Sequence, residues 1–329
     1  MRTIFRVWIV AMALFATAAM GCVSPQVKLF TEASDPLQQQ TLSGTGEGKV
    51  LVIPVRGIIS DNPRDEMFRT KPSPVQEVVS QLELARQDPN IRAVLFKVDS
   101  PGGSVTASDI IYNEILSFKE DTGKAVVVSM MNIAASGAYY ISLPADHIMA
   151  HPTTVTGSIG VIFMRPNFKE LMEKIGVCVA VNTSGENKDM GSPFRKSTER
   201  EERLFANLID SLGGQFLQRV EKHRLISAAE LDNIATARIF LADEALEKGL
   251  IDSIGYLPDA IDQAQSLAGL PENSRVVVYR RTKFPNDNIY NSIQMQSGKT
   301  SLIDLGIPTE LMRHLTGFYY LWTPALGNS

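Results

Sequence analysis

Apolar residues along the chain follow two alternating patterns. Continuous apolar runs rich in β-branched residues predict buried strands, whereas apolar residues that recur every three or four positions predict helices. The predicted strands lie at 48–59, 91–98, 124–130, 159–163, 177–181 and 275–279. The predicted helices lie at 75–87, 106–118, 138–143, 168–175, 198–221, 227–234, 242–248 and 260–267. This alternation predicts an α/β fold with a parallel sheet covered by helices on both faces.

Residues 1–22 have the pattern of a bacterial secretory signal. Arg2 and Arg6 precede a short uncharged apolar stretch, and small residues follow it. Such a segment directs export and does not belong to a folded core. Residues 16–18 fit an ordinary cleavage site, but the segment ending at Cys22 resembles a lipobox, in which that cysteine receives a lipid. We expect lipidation of Cys22, with ordinary secretion or an uncleaved anchor as the alternatives.

Three further regions follow the signal. Residues 23–47 are rich in Gln, Ser, Thr, Pro and Gly, which predicts a flexible tether. Residues 48–270 hold the alternating pattern without an internal repeat, which predicts one catalytic domain. Residues 271–329 form a C-terminal extension that becomes irregular after 282 and ends in an aromatic segment, 317–322. That segment could contact a membrane, occupy a neighbour's groove or cap the core, and we favour the cap.

Composition narrows the classes of protein. The chain has 329 residues, of which 44% are hydrophobic and 21% charged, so it is neither disordered nor collagen-like. A formal net charge of −4 argues against nucleic acid as a partner, because binding phosphates needs a basic surface. Beyond the N-terminus no apolar run reaches 18 residues, which excludes a polytopic membrane protein.

Cysteines and histidines give no sign of a metal site. The four histidines and two cysteines show none of the spacings typical of metal ligands, and we expect no metal or organic cofactor. Cys178 lies in the apolar run 177–181, where a lone cysteine is usually a small buried core residue.

Three glycine- and serine-bearing segments follow predicted strands, at 99–103, 134–140 and 156–160. The carboxyl ends of parallel strands meet at one edge of a sheet, so these segments are expected to converge. Ser136 fits either a nucleophile at the start of a helix or a simple N-cap. Gly103 fits either an oxyanion donor or a turn. A lysine can act as the base for a hydroxyl nucleophile when burial lowers its pKa.

Four motifs together give a specific resemblance. KVDSPGG, AASGAYYIS, TGSIGV and NKDMGSPFR, in this order and spacing, closely resemble the signal peptide peptidase A family, peptidase family S49, in its single-domain form. The similarity covers roughly residues 48–270. It implies a Clp-protease/crotonase-like fold of repeated ββα-type units and a serine endopeptidase with a Ser–Lys dyad.

The resemblance also implies roles for individual residues. Ser136 corresponds to the nucleophile, Lys188 to the general base, Gly103 to an oxyanion-hole donor and Ser158 to the serine that positions the lysine. Ala138 stands where the family usually has a second glycine. The implied substrates are cleaved signal peptides or other unfolded apolar peptides.

The implied setting is the cell envelope. There a lipid or an N-terminal anchor would hold the chain at a membrane, with the catalytic domain outside the cytoplasm. The implied assembly is a homo-oligomer, with eight copies expected, in which a neighbouring subunit completes each site. Two alternatives stay open, a catalytically silent membrane scaffold and a crotonase-like acyl-CoA enzyme. The export signal argues against the second of these.

Overall fold

A computed structural model describes residues 35–66, 69–281, 288–290 and 317–324. Its strands are β1 Gln38–Ser43, β2 Gly46–Arg56, β3 Arg64–Glu66, β4 Arg69–Lys71, β5 Ile91–Ser100, β6 Gly102–Ser104, β7 Ala125–Ala135, β8 His147–Ala150, β9 Val155–Gly157, β10 Ile162–Met164, β11 Ile239–Leu241, β12 Ser253–Ile254, β13 Ser274–Arg280 and β14 Gly317–Leu321. Its helices are α1 Pro74–Gln87, α2 Val105–Thr122, α3 Gly137–Ser142, α4 Lys169–Lys174, α5 Glu199–His223, α6 Ala228–Ile234, α7 Ala242–Glu247 and α8 Leu257–Leu267.

The main sheet has the strand order β1-β13-β2-β5-β7-β8-β12, and β9 joins β7 to β11 beyond the end of β8. Strands β13, β2, β5, β7, β8 and β12 run parallel to one another, while β1 and β11 pair antiparallel at the margins. A smaller sheet has the order β10-β14-β6. The predicted α/β fold with a mostly parallel sheet is confirmed.

The central strands are buried on both faces, which explains their continuous apolar runs. Leu51 and Val94 pack on one face with helices α1, α2 and α3, while Val50 and Ala93 pack on the other face with α8. Helices therefore cover both sides of the sheet, as the alternation of patterns predicts. This packing fixes the carboxyl ends of β5 and β7, where the serine- and glycine-bearing segments begin.

The prediction of a buried strand at 177–181 is wrong. These residues are exposed and form neither strand nor helix, and Cys178, predicted in the core, is an exposed free thiol. Val177, Val179 and Val181 are about half exposed. β-Branched residues favour strands only where a neighbouring strand and a packed face are available, and this segment has neither in the single chain.

The end of the predicted tether also differs from the structure. Residues 38–43 form β1, which pairs antiparallel with β13. A polar edge strand with mostly exposed side chains gives no apolar signal, so composition alone indicated a linker. Residues 1–34, which include the predicted signal and Cys22, lie outside the described residues. Among the described helices, none combines the length and the apolar character needed to span a membrane.

Candidate active site

Ser136 lies on a sharp turn between β7 and α3. Its φ is 55° and its ψ is −118°, a combination that residues other than glycine rarely adopt. The Ser136 N–H donates to the Gly157 carbonyl (2.7 Å), and the Ser136 carbonyl accepts from the Tyr140 N–H (2.9 Å). These two bonds hold the turn in its strained conformation.

The Ser136 hydroxyl is buried and makes no hydrogen bond to the described residues. The residue is 1% exposed, and among the described residues Oγ has no hydrogen-bond partner. Ser136 occupies the N-cap position of α3, but its side chain makes no capping bond to the helix. A buried unpaired hydroxyl costs about 1–3 kcal/mol, and a strained φ/ψ pair costs about as much again. A hydroxyl kept in this state at a strand–helix turn is typical of a functional site.

The SPGG segment lies beside this turn. Ser100 Oγ accepts from the Gly102 N–H (3.1 Å), and Gly102 has a φ of 102°. Ile59 donates its N–H to the Gly102 carbonyl (2.8 Å) and accepts from the Ser104 N–H (2.9 Å). This parallel bridge fixes the backbone on either side of Gly103 and does not use the Gly103 N–H.

Two backbone N–H groups meet next to Ser136. A Cβ atom built on Gly137 would lie 3.1 Å from the Gly103 nitrogen, and one built on Gly102 would lie 2.8 Å from the Gly137 nitrogen. Gly137 is the first residue of α3, so its N–H has no partner within that helix. The two N–H groups can together stabilise a negatively charged oxygen. Gly103 could be predicted as a donor from the sequence, whereas Gly137 was not predicted, although a glycine directly after the serine indicates this role.

The TGSIG segment reaches the same place. Gly157, at the end of β9, is opposite Ala135 in the sheet and accepts the Ser136 N–H. Ser158 follows directly, with a φ of 51° and its N–H donated to the Arg238 carbonyl (2.8 Å). The structure therefore brings the segments of Ser136, Gly103 and Ser158 together.

Lys188 is exposed on the surface of the chain. Its backbone N–H closes a turn onto the Gly185 carbonyl (3.1 Å), and its side chain is exposed. Because Ser136 Oγ has no partner, no hydrogen bond joins it to Lys188. The single chain thus brings together three of the four predicted site residues and leaves the lysine apart.

The residue after Lys188 is tied to helix α5. Arg195 Nε contacts Asp189 Oδ2 (2.7 Å), and the same guanidinium contacts Glu201 Oε2 (2.8 Å). Arg195 lowers the pKa of both carboxylates, that of Glu201 to about 2, mainly through its hydrogen bonds. Glu201 also forms a capping box with Thr198 at the start of α5. Ion pairs therefore tie this end of the Lys188 loop to the start of α5.

Comparison with known proteins places the chain in a family. Residues 119–271 match the family model "Peptidase family S49". The chain is 32% identical over 273 residues to the putative signal peptide peptidase SppA of Enterococcus faecium, across 82% of this chain and 79% of that protein. The chain belongs to peptidase family S49. It is a serine peptidase with the Clp-protease/crotonase-like fold of that family, as the resemblance implied.

Other relatives of this S49 peptidase are much longer proteins. It is 34% identical over 243 residues to Protease 4 of Haemophilus influenzae, across 73% of this chain but 38% of that protein. It is 31% identical over 204 residues to the chloroplastic serine protease SPPA of Arabidopsis thaliana, across 62% of this chain and 30% of that protein. Family membership favours the peptidase over the acyl-CoA enzyme alternative.

Replacing Gly103 by alanine is expected to damage both stability and activity. The added Cβ would lie 1.9 Å from the Ile59 carbonyl oxygen, a backbone atom held by its own bridge. We expect a loss of about 1–3 kcal/mol in the free energy of unfolding, as for other overpacked sites, and at least a tenfold fall in peptidase rate. Urea unfolding and peptide cleavage measure the two effects.

Gly123→Ala is the matched control. Gly123 has a positive φ of 62° at the end of α2, and nothing lies within 4 Å of its added Cβ. This variant should lose some stability and keep its activity. Wild-type stability and rate in Gly103→Ala would contradict the close approach of Gly103 to Ile59.

Proposed function

We propose that this S49 serine peptidase is a membrane-tethered endopeptidase that uses Ser136 as nucleophile and Lys188 as general base. The observation that carries the proposal is the state of Ser136. Its buried hydroxyl has no partner, occupies a strained strand–helix turn and adjoins the N–H groups of Gly103 and Gly137. A nucleophile and its oxyanion donors need this arrangement.

The proposed reaction has two stages, and Lys188 accepts and returns a proton in each of them. Neutral Lys188 takes the proton of Ser136 Oγ while Oγ bonds to the substrate carbonyl carbon. The carbonyl oxygen becomes negative and is stabilised by the N–H groups of Gly103 and Gly137. The C–N bond breaks, Lys188 returns its proton to the leaving amine, and an acyl-enzyme remains. Lys188 next takes a proton from water as the water oxygen bonds to the ester carbon. The bond from that carbon to Ser136 Oγ then breaks, Lys188 gives the proton to Oγ, and the acid product leaves. Ser158 would position the lysine.

Assembly of the dyad requires a second copy of the chain. Large apolar side chains are exposed along the segment that carries Lys188, namely Phe168, Leu171, Ile175, Val177, Val179, Val181 and Phe194. A concentration of this kind is typical of a protein contact surface. A neighbouring chain that covers this segment would bury Lys188 and place it beside that neighbour's own Ser136. We therefore propose a homo-oligomer, with eight copies suggested by the family resemblance.

The N-terminal sequence supports a location for the peptidase and a class of substrate. A secretory signal at 1–22, with a lipid on Cys22 or an uncleaved anchor, would hold the peptidase at a membrane with its catalytic domain outside the cytoplasm. Peptides released at that surface are apolar, because the core of a signal peptide is apolar. The name of the Enterococcus faecium relative, a signal peptide peptidase, supports the same substrate class. Cleaved signal peptides and other unfolded apolar peptides are therefore the proposed substrates.

A pH profile tests the lysine base. A lysine accepts a proton only in its neutral form, so we expect kcat/KM on a quenched apolar peptide to rise steadily from about pH 5 to 9. Melting temperatures recorded over the same range separate this rise from a change in folding. Ser136→Ala supplies the blank at each pH. A flat profile with a stable protein would rule out a lysine base.

A further inference from the structure

Ser158 is held in a left-handed conformation by the residue that precedes β11. Its φ is 51°, which costs free energy for a residue other than glycine, and its N–H donates to the Arg238 carbonyl (2.8 Å). Ala237, directly before Arg238, also has a positive φ of 58°. Residues in such conformations persist only where the surrounding structure fixes them. Ser158 therefore keeps its conformation only if the backbone at Arg238 is held in place.

The Arg238 side chain ties this backbone to two helices. Its Nε donates to Asn233 Oδ1 on α6 (3.0 Å), and its Nη1 donates to Glu244 Oε2 on α7 (3.1 Å). Its Nη2 donates to Glu244 Oε1, which makes the ion pair bidentate. A bidentate pair between arginine and a carboxylate fixes geometry as well as adding energy. The guanidinium group therefore has a defined orientation, although the side chain is 41% exposed.

The Arg238 guanidinium also lies against a fixed surface. Its Cζ is 4.2 Å from the centroid of the Phe240 ring, within the range of a cation–π contact. Phe240 is buried and packs against Gly157, since a Cβ atom built on Gly157 would lie 2.4 Å from Phe240 Cδ2. The Arg238 carbonyl oxygen would lie 2.8 Å from the same Cβ, and Gly157 directly precedes Ser158. Two helices and a core ring therefore keep the Arg238 carbonyl beside Ser158.

We propose that Arg238 is a positioning residue of this peptidase and that it acts through Ser158. Without the Arg238 side chain, the carbonyl that holds Ser158 is free to shift, and Ser158 relaxes to a less costly conformation. Ser158 then no longer holds Lys188 in line with Ser136, so proton transfer slows. Because this effect is on the chemical step and not on substrate binding, kcat should fall while KM stays near wild type. This inference rests on the proposed function, because it takes Ser158 as the residue that positions the lysine.

Arg238→Gln in the full chain removes the charge and the bidentate pair. We expect kcat on a quenched apolar peptide to fall roughly tenfold or more, with KM within about twofold of wild type. Arg224→Gln is the matched control, because Arg224 Nε donates to the Gly249 carbonyl (2.7 Å) and both its Nη groups donate to Asp252. It should lose stability and keep a wild-type kcat. Equal losses of kcat in the two variants would point to a general effect on folding and overturn the proposal.

A double-mutant cycle tests whether Arg238 acts through Ser158. In a Ser158→Ala chain the positioning hydroxyl is already absent, so adding Arg238→Gln should lower kcat by less than about twofold. A further fall as large as in the wild-type background would overturn the proposal, because the two residues would then act independently. A wild-type kcat in Ser158→Ala would overturn it as well, because Arg238 would then have no positioning residue to support.

Hydrogen exchange separates this proposal from the proposed function, because it needs no activity. Exchange is followed by mass spectrometry on the full-length Ser136→Ala chain, with and without Arg238→Gln. We expect the Ser158 N–H to exchange roughly tenfold faster when Arg238 is replaced, while the segment 91–98 in β5 exchanges as before. Unchanged protection of Ser158 would overturn the support by Arg238, whatever the cleavage assays show. Faster exchange at Ser158, in a protein whose wild-type chain shows no Ser136-dependent cleavage, would retain that support and reject the proposed function.

Discussion

Ser136→Ala is expected to abolish peptide cleavage while the chain stays folded. Loss of the nucleophile from a serine peptidase lowers the rate by ~10⁴-fold or more. Stability should be unchanged or slightly higher, because the variant removes a buried hydroxyl that has no hydrogen-bond partner. Measuring kcat/KM together with urea unfolding tests both parts. A variant that keeps more than about a hundredth of the wild-type rate would reject Ser136 as the nucleophile.

Ser142→Ala is the matched control for this variant. Ser142 is buried on the same helix, but its hydroxyl donates to the Ala138 carbonyl (2.7 Å). Removing this hydroxyl breaks a hydrogen bond and lowers the free energy of unfolding by about 1 kcal/mol. It leaves the proposed reaction unaffected. Ser136→Ala should therefore lose catalytic rate and keep its stability, whereas Ser142→Ala should lose stability and keep its catalytic rate.

Lys188→Ala is expected to lower the rate by ~10³-fold or more, since it removes the only base proposed for the reaction. The side chain is exposed in the described part of the chain, so we expect unfolding of the monomer to be unaffected. Lys196→Ala is the matched control, because Lys196 is an exposed lysine on the same loop. It should keep wild-type activity, and equal losses in both variants would point to a loop effect.

Mixing the two inactive chains tests directly whether one site is built from two copies of the chain. If Ser136 and Lys188 of one site come from different copies, co-assembled Ser136→Ala and Lys188→Ala chains contain some intact sites. Random assembly of equal amounts leaves about a quarter of the sites intact, so about a quarter of the wild-type rate should return. If each site is built within one chain, every site carries a defect and the mixture stays inactive.

The main sheet could be predicted because its central strands are buried on both faces. β2, β5 and β7 therefore give continuous apolar runs that are visible in the sequence. The run at 177–181 has a similar apolar composition, but no neighbouring strand pairs with it in the described part of the chain. A local sequence pattern does not show that its valines are exposed. β14 was expected to cap the core, and its burial agrees with that expectation. Its partners β6 and β10 are three residues long and distant in sequence, so no periodicity indicated the pairing.

The residues of the candidate site could be predicted from the motif resemblance, whereas the hydrophobic periodicity did not identify them. From the residues alone, Ser136 could equally have been an N-cap, and only the positive φ and the unpaired hydroxyl distinguish the two. A serine's backbone conformation depends on the tertiary contacts of the turn, here the bond to Gly157. In the proposed assembly, the position of Lys188 would depend on a neighbouring chain, and no local pattern in the sequence describes that contact.

β1 has a consequence for a peptidase. Any exposed strand edge can attract an extended peptide, and a captured peptide would seed aggregation instead of being cleaved. β1 covers the β13 edge with mostly polar residues, and its pairing shifts register between Thr41 and Ser43. At the opposite margin β12 is only two residues long. Both margins therefore discourage the addition of a further strand from another chain.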